Sequence, residues 1–271
     1  MSRYVARSLR RRSFGGDPTG YDRGRPPYPP AVYDLLERRC GLGPRCATFE
    51  VGPGTGIATR ELLRRGAEPL VAVEADPRMA TFLLSRLGPE RRRVHLVVAP
   101  FESVVLPEGV FDLGVAATSF HWTGERRGIR KVARLLRPGG WWAMWWSRHG
   151  DVGRPSPFHR AIQPLYGHRT SRPKPRRIGG RGPGPWDRRS RMLRESRWFD
   201  AVERRVLRVP LTLTTDQVVA LWSSFSDIRT RPAAERRRFL SGLARVAEEE
   251  FGGTVRFDNL VTVYLARRTP P

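Results

Sequence analysis

Two rhythms of apolar residues alternate along the chain. Short runs in which nearly every position is apolar recur at residues 47–51, 70–74, 94–98, 111–117 and 141–146, the pattern of strands buried on both faces of a parallel sheet. Between them lie segments with apolar residues three and four apart, at 57–65, 76–87 and 125–136, which predict helices. A helix over 30–39, with Ala31, Leu35 and Leu36 as its stripe, precedes the first strand. Later come strands over 202–213 and 260–267, separated by helices over 215–224 and 232–251, the latter carrying Phe239, Leu243, Val246 and Phe251 on one side. Strand and helix in strict alternation predict an α/β fold with a doubly wound, mostly parallel sheet.

The punctuation is as informative as the pattern. Residues 49–58, FEVGPGTGIA, place Gly52, Gly54 and Gly56 in the turn between the first strand and its helix. A backbone that must approach a ligand closely, at positive φ, needs glycine there. The second strand ends in a carboxylate, Glu74, about 20 residues beyond the glycines, where doubly wound folds bind ribose hydroxyls. A dinucleotide fingerprint, G-x-G-x-x-G counted from Gly52, would need a third glycine at position 57, and Ile57 stands there. A nicotinamide-dependent oxidoreductase is therefore disfavoured.

What stands instead is acidic-x-G-x-G-x-G beginning at Glu50, which resembles motif I of the class I S-adenosylmethionine-dependent methyltransferases. Two further stretches carry the resemblance: Tyr21, Arg25, Pro26, Tyr28 and Pro29, in the order Y-x-x-x-R-P-x-Y-P, and the L-L-R-P-G-G turn at 135–140 before the fifth strand. Together they resemble the small-molecule branch that includes trans-aconitate and quinone methyltransferases and natural-product tailoring enzymes. The resemblance implies a Rossmann-like, seven-stranded sheet with an antiparallel last strand and a helical cap inserted before it. It implies S-adenosylmethionine as cofactor, held by Tyr21, Arg25, Glu50, Gly52, Gly54, Gly56, Glu74, Ala75, Met79, Phe101, Glu102 and Thr118. Relatives often carry an aspartate near the adenine where this chain has Ala99 and Pro100, so Phe101 and Glu102 are expected to take over that contact. The acceptor is expected near Tyr28, Ser119, His121, Trp122, Trp222 and Phe225, with His121 as a candidate general base, since its ordinary pKa of about 6.5 suits proton removal near neutrality.

Residues 1–13 are expected to form a disordered basic tail and 14–268 a single methyltransferase domain. Within that domain, 14–30, extended and turn-rich because of their prolines, form a lid segment over the cofactor, 147–198 a variable basic region with a mobile loop over 172–186, and 215–251 the cap. Arg11, Arg12 and Phe14 resemble an export signal, but no apolar stretch follows them, so a cytoplasmic protein with no membrane partner is expected. Cys40 and Cys46 are the only cysteines and receive no role. No His and carboxylate cluster has metal-ligand spacing, so no metal is expected. The N-P-P-Y tetrad of enzymes that clamp a flipped base is absent after the fourth strand, where TSFHW stands, and no cysteine lies there to act as nucleophile.

Charge is the loudest remaining feature. A formal net charge of +24 predicts attraction to polyanions and steep salt dependence. Only Lys131 and Lys174 are lysines, however, and arginine used so one-sidedly, with abundant Gly and Pro, also fits the codon bias of a GC-rich genome. Three readings follow: methyl transfer to a small molecule, methyl transfer to RNA through the basic stretch at 172–197, and a cofactor-binding module without turnover.

Overall fold

A computed structural model describes residues 15–167 and 185–270. The tail expected at 1–13 and most of the loop expected at 172–186 lie outside the described residues. Seven strands, β1 (Cys46–Val51), β2 (Ala67–Glu74), β3 (Val94–Val98), β4 (Phe111–Ala117), β5 (Leu136–His149), β6 (Phe199–Thr214) and β7 (Thr254–Arg268), form one sheet in the order β3-β2-β1-β4-β5-β7-β6. The pairs β1–β2, β1–β4, β2–β3 and β4–β5 are parallel. β7 runs against both neighbours: its last residues meet the start of β5, where Arg268 donates to the carbonyl of Leu136, and the start of β6, where Arg267 pairs with Asp200. The sheet is thus the mixed, Rossmann-like one expected, with an antiparallel last strand.

The described residues divide into two compact units, one of residues 27–147, 185–207 and 261–270, the other of residues 15–26, 148–167 and 208–260. In the first unit the sheet buries both faces. Its helices are α1 (Pro30–Cys40), α2 (Ile57–Arg64), α3 (Pro77–Leu87), α4 (Glu125–Leu135) and α5 (Pro185–Glu195). Successive residues of one strand alternate between two apolar clusters, because side chains of a strand point to opposite faces. On β5, Ala143 and Trp145 join one cluster, and Trp142, Met144 and Trp146 the other. Phe49 is the centre of the second cluster, in contact with Phe101, Phe111 and Trp142 at centroid distances of 5.1–6.2 Å. Phe49 fits only because its neighbour on β4 is Gly114, where a Cβ would stand 2.3 Å from the Phe49 ring.

The second unit has its own core of Phe158, Leu221, Trp222, Phe239, Leu243 and Phe257. Its helices are α6 (Pro18–Gly24), α7 (Pro157–Ala161), α8 (Thr215–Ser223), α9 (Ser226–Arg229) and α10 (Ala233–Phe251). A capping box between Thr214 and Gln217 starts α8. Gly24, at the end of α6, lets that helix lie against α8, since a Cβ there would meet the Ala220 carbonyl oxygen at 2.3 Å.

Three elements differ from the sequence expectation. Residues 18–24, expected extended, form α6, because Asp17 accepts from the Gly20 amide at 2.8 Å as N-cap and Pro18 occupies the first turn. Residues 185–195, expected to belong to a variable region, form α5. The Arg137–Gly140 turn lies inside β5: Leu136 pairs with Phe111 and Trp141 with Leu113, so the extra residues bulge out of the ladder. Among the described residues no helix is long and apolar enough to cross a membrane.

Gly114→Ala is expected to lower unfolding stability by about 1–3 kcal/mol, the usual cost of overpacking a full core; equilibrium urea unfolding would measure it, and an unchanged midpoint would show that Phe49 has room to move.

Candidate functional site

In the first unit the carboxyl ends of β1, β2 and β4 bring the expected motifs together. Gly52, Gly54 and Gly56 all have positive φ, at 68°, 60° and 86°. A Cβ on Gly52 would stand 2.7 Å from Ser119 Cβ, and one on Gly56 2.3 Å from Leu83 Cδ1, while Gly54 meets nothing closer than Met79 Cε at 3.6 Å. The turn is therefore clamped at its two outer glycines and open at the middle one. Glu74 holds it in place: its Oε2 accepts from the Gly54 amide at 3.0 Å and its Oε1 from the Asp76 amide at 2.9 Å. Asp76 caps α3 by accepting from the Arg78 amide at 3.0 Å and pairs with the Arg78 guanidinium at 2.8 Å.

Glu50 lies beneath this turn with no solvent exposure. Its Oε2 accepts from the Thr59 hydroxyl at 2.7 Å, whereas its Oε1 has no hydrogen-bond partner among the described residues. Burial pushes its pKa up from 4.5 to about 7, opposed by the Thr59 hydrogen bond and assisted by the charge of Glu74. The Thr55 hydroxyl, in the same turn, is also buried without a partner among the described residues. A buried carboxylate with one unpartnered oxygen beside a glycine turn is an arrangement that a cationic hydrogen-bond donor would stabilise.

The end of β4 supplies the other wall. Thr118 has φ of 56°, unusual for a threonine, and its hydroxyl accepts from the Tyr28 phenol at 3.0 Å. Ser119 donates its hydroxyl to the Val51 carbonyl, tying β4 to β1. His121 Nδ1 accepts from the indole N–H of Trp146 at 3.1 Å. An indole can only donate, so Nδ1 carries no proton and the neutral ring holds its hydrogen on Nε2. The guanidinium of Arg189 lies 3.8 Å from the centre of the Trp146 ring and is held by Glu125 at 2.9 Å, which fixes the indole in turn. Trp122 stacks obliquely at 4.6 Å from His121. The ring is thus set as a donor at Nε2, which does not suit the general-base role expected from position alone.

Glu102 accepts from the Gly124 amide at 3.3 Å. Phe101 is only 2% exposed and stacks on Phe49, so its ring is a core side chain. Ala75 is half-buried and Met79 buried beside the glycine turn.

The remaining four expected residues gather with one another in the second unit. The Arg25 guanidinium lies over the rings of Tyr21 and Phe225, at 5.2 and 4.9 Å, and donates to the Ser224 carbonyl at 3.4 Å. Trp222, 2% exposed, donates to the Tyr166 hydroxyl at 2.9 Å. His149, not singled out by sequence, stacks on Phe225 at 5.8 Å; burial, with Arg25 and His159 nearby, lowers its pKa to about 3. Thr59 was equally missed, although a hydroxyl on the first turn of the helix after the glycines is the natural partner for Glu50.

Residues 49–144 match the family model described as a methyltransferase domain. An uncharacterized methyltransferase of Mycobacterium tuberculosis is 34% identical over 139 residues, covering 51% of this chain and 54% of that protein. The chain thus spans about half the length of such curated relatives. Among solved structures, a candidate type II methyltransferase from Anaeromyxobacter dehalogenans shares the fold with a TM-score of 0.58 at 20% identity, covering 91% of this chain and 99% of that one. A Haemonchus contortus phosphoethanolamine N-methyltransferase, in complex with S-adenosyl-L-methionine, gives 0.55 at 12% identity, covering 99% of this chain and 58% of that one.

Two measurements test this geometry. Nitrogen-15 spectra of the His121 ring are expected to show the Nε2-protonated tautomer, and Trp146→Phe is expected to release it into a mixture; a protonated Nδ1 in the wild type would overturn the assignment. For Glu50, a folded-state pKa raised from 4.5 to about 7 means that the folded state binds the proton more tightly, so stability is lost as pH rises through that window and stays lost above it. Glu50→Gln is expected to remove this pH dependence and to make the protein more stable at pH 8 by up to about 3.5 kcal/mol, by the conversion of about 1.4 kcal/mol per pH unit, measured by thermal unfolding across pH.

Proposed function

We propose that the chain, whose residues 49–144 match the methyltransferase-domain model, transfers a methyl group from S-adenosylmethionine to a small-molecule acceptor. The observation that carries the cofactor reading is the buried Glu50 carboxylate, with one oxygen unpartnered among the described residues, beneath three glycines at positive φ. S-adenosylmethionine brings the cationic amino group such a carboxylate requires, and a bound cation holds Glu50 ionised at neutral pH. Glu50, the turn of Gly52, Gly54 and Gly56, Glu74, Ala75 and Met79 would hold the cofactor, with Glu102 and Thr118 at the ends of the neighbouring strands. The open middle glycine, Gly54, is the point of closest backbone approach.

When bound, the cofactor supplies an electrophilic methyl group for in-line displacement. The protein's part is to align the acceptor and exclude water, work that needs no covalent intermediate. His121, set as an Nε2 donor, orients the acceptor; Ser119 and Trp122 flank it. The small-molecule reading is supported by the TSFHW sequence after β4, which lacks the clamp of flipped-base enzymes, and by the resemblance of the Tyr21–Pro29 segment to the small-molecule branch. Tyr21, Arg25, Tyr28, Trp222 and Phe225 are proposed to serve ligand recognition in that reading.

Calorimetric titration with S-adenosylmethionine is expected to give micromolar binding, about −8 kcal/mol, weakened by Glu74→Ala, with no heat from NADH as the control. A folded protein that binds no S-adenosylmethionine would end this reading.

A further inference from the structure

A second feature of the first unit is independent of the glycine turn. Between α4 and the end of α5 lies a groove of about 170 Å³ lined by Arg126, Ile129, Arg130, Met192, Glu195 and Trp198, among others. Its floor is apolar: Ile129 is 1% exposed and Met192 half-buried. Its lip carries two guanidiniums four residues apart on one helix, Arg126 and Arg130, both exposed. Most neighbouring arginines are engaged: Arg188 and Arg189 with Glu125, Arg134 with Glu108, and Arg194 with the Val202 carbonyl. Among the described residues Arg126 and Arg130 have neither an ion pair nor a hydrogen bond. The carboxylate in the lining, Glu195, belongs to α5, so the anionic part of a ligand is directed to the α4 side.

Trp198 completes the groove. It is 43% exposed, against 8% or less for Trp142, Trp145, Trp146 and Trp222. It is not loose: its amide donates to Ser196 Oγ at 3.3 Å, and its carbonyl accepts from the Thr269 amide and hydroxyl at 3.1 and 3.2 Å. The residue before it, Arg197, has φ of 58°, a left-handed conformation that costs a residue with a Cβ. Backbone strain that holds a tryptophan in solvent is not explained by core packing. A genomic preference for arginine accounts for the number of guanidiniums, but not for a pinned, exposed indole beside two free ones.

A flat aromatic face, an apolar floor and paired guanidiniums match one chemistry, a base joined to a phosphate. Exposed arginines continue past the groove at Arg127, Arg191 and Arg197, more positive charge than one phosphate needs. In a duplex the base faces are already stacked, so the strand must be single. We infer that this groove docks single-stranded nucleic acid, with a base stacked on Trp198 and the adjoining phosphate held by Arg126 and Arg130. The inference goes beyond methyl transfer and does not depend on it.

Fluorescence anisotropy of a labelled oligouridylate of about 12 nucleotides, within the usual range of single-strand sites, tests it with the full chain. Trp198→Ala is expected to weaken binding about tenfold and Trp198→Phe to restore most of it, as loss and return of one stacked base require. Replacing both Arg126 and Arg130 with Gln is expected to weaken binding and to reduce the slope of log affinity against log salt by about 0.7, for the one phosphate that the pair holds on a single strand. The exposed Arg91 and Arg92, changed together to Gln, remove the same charge elsewhere and are expected to leave binding within about twofold, a shift under 0.5 kcal/mol. Equal weakening by that control, equal binding of a duplex, saturation by AMP alone, or displacement by anionic phospholipid vesicles that depends on Trp198 would each overturn the inference. Unchanged thermal unfolding of the variants separates loss of the groove from loss of the fold.

Discussion

Everything at the carboxyl end of the sheet depends on the Glu74 carboxylate accepting two backbone amides, those of Gly54 and Asp76. Hydrogen bonds to a charged acceptor are the strong ones, and here they join two chain segments far apart in sequence. One oxygen fixes the glycine turn after β1; the other fixes the corner where β2 gives way to α3. The turn in turn sets the backbone of Val51, whose carbonyl receives Ser119 from the end of β4. Three strand ends are thus tied by side chains from only two of them, and the glycines at positive φ keep the shape that these bonds demand.

Glu50 has the opposite character. Glu74 is satisfied twice over, while Glu50 has one partner and lies deeper, and the charge of Glu74 nearby discourages its ionisation. A buried acid with a raised pKa lowers the stability of the folded chain at neutral pH. Such a cost persists where the group does something other than hold the fold, and an incoming cation reverses its sign. The two carboxylates therefore differ in kind: one braces the turn, and the other keeps an unpartnered oxygen among the described residues, which the proposed cofactor's cation would satisfy.

How much of this was legible in the sequence follows from the range of each interaction. β3 and β4 were read at their observed bounds, because buried parallel strands are marked by local composition. The glycines and Glu74 were legible because a tight turn and a strand end leave residue-specific traces. α6 was not: the prolines of residues 18–30 suggested extended chain, and the Asp17 cap outweighed them. The bulge in β5 was missed because Arg137–Gly140 has turn chemistry, and only the pairing of Leu136 and Trp141 with β4 shows the ladder resuming on both sides. The arginines of α4 that have no partner among the described residues could not be told from paired ones, since a partner comes from elsewhere in the chain, as Glu108 does for Arg134.

His121 shows why position alone is a weak guide to chemistry. The end of β4 was expected to face the acceptor, but the ring's hydrogen bonding is set by a tryptophan 25 residues later, which can only donate. Arg189 over that indole, itself anchored by Glu125, leaves the pair little freedom to exchange roles. A ring that offers Nε2–H cannot take a proton there without first losing its own. It can stabilise negative charge and aim a lone pair. The geometry therefore suits an acceptor whose nucleophilic atom needs no deprotonation at that nitrogen, either because it is already anionic or because it already carries a free lone pair. In the proposed methyl transfer the rate would come from alignment and from water kept out, with the sulfonium supplying the driving force.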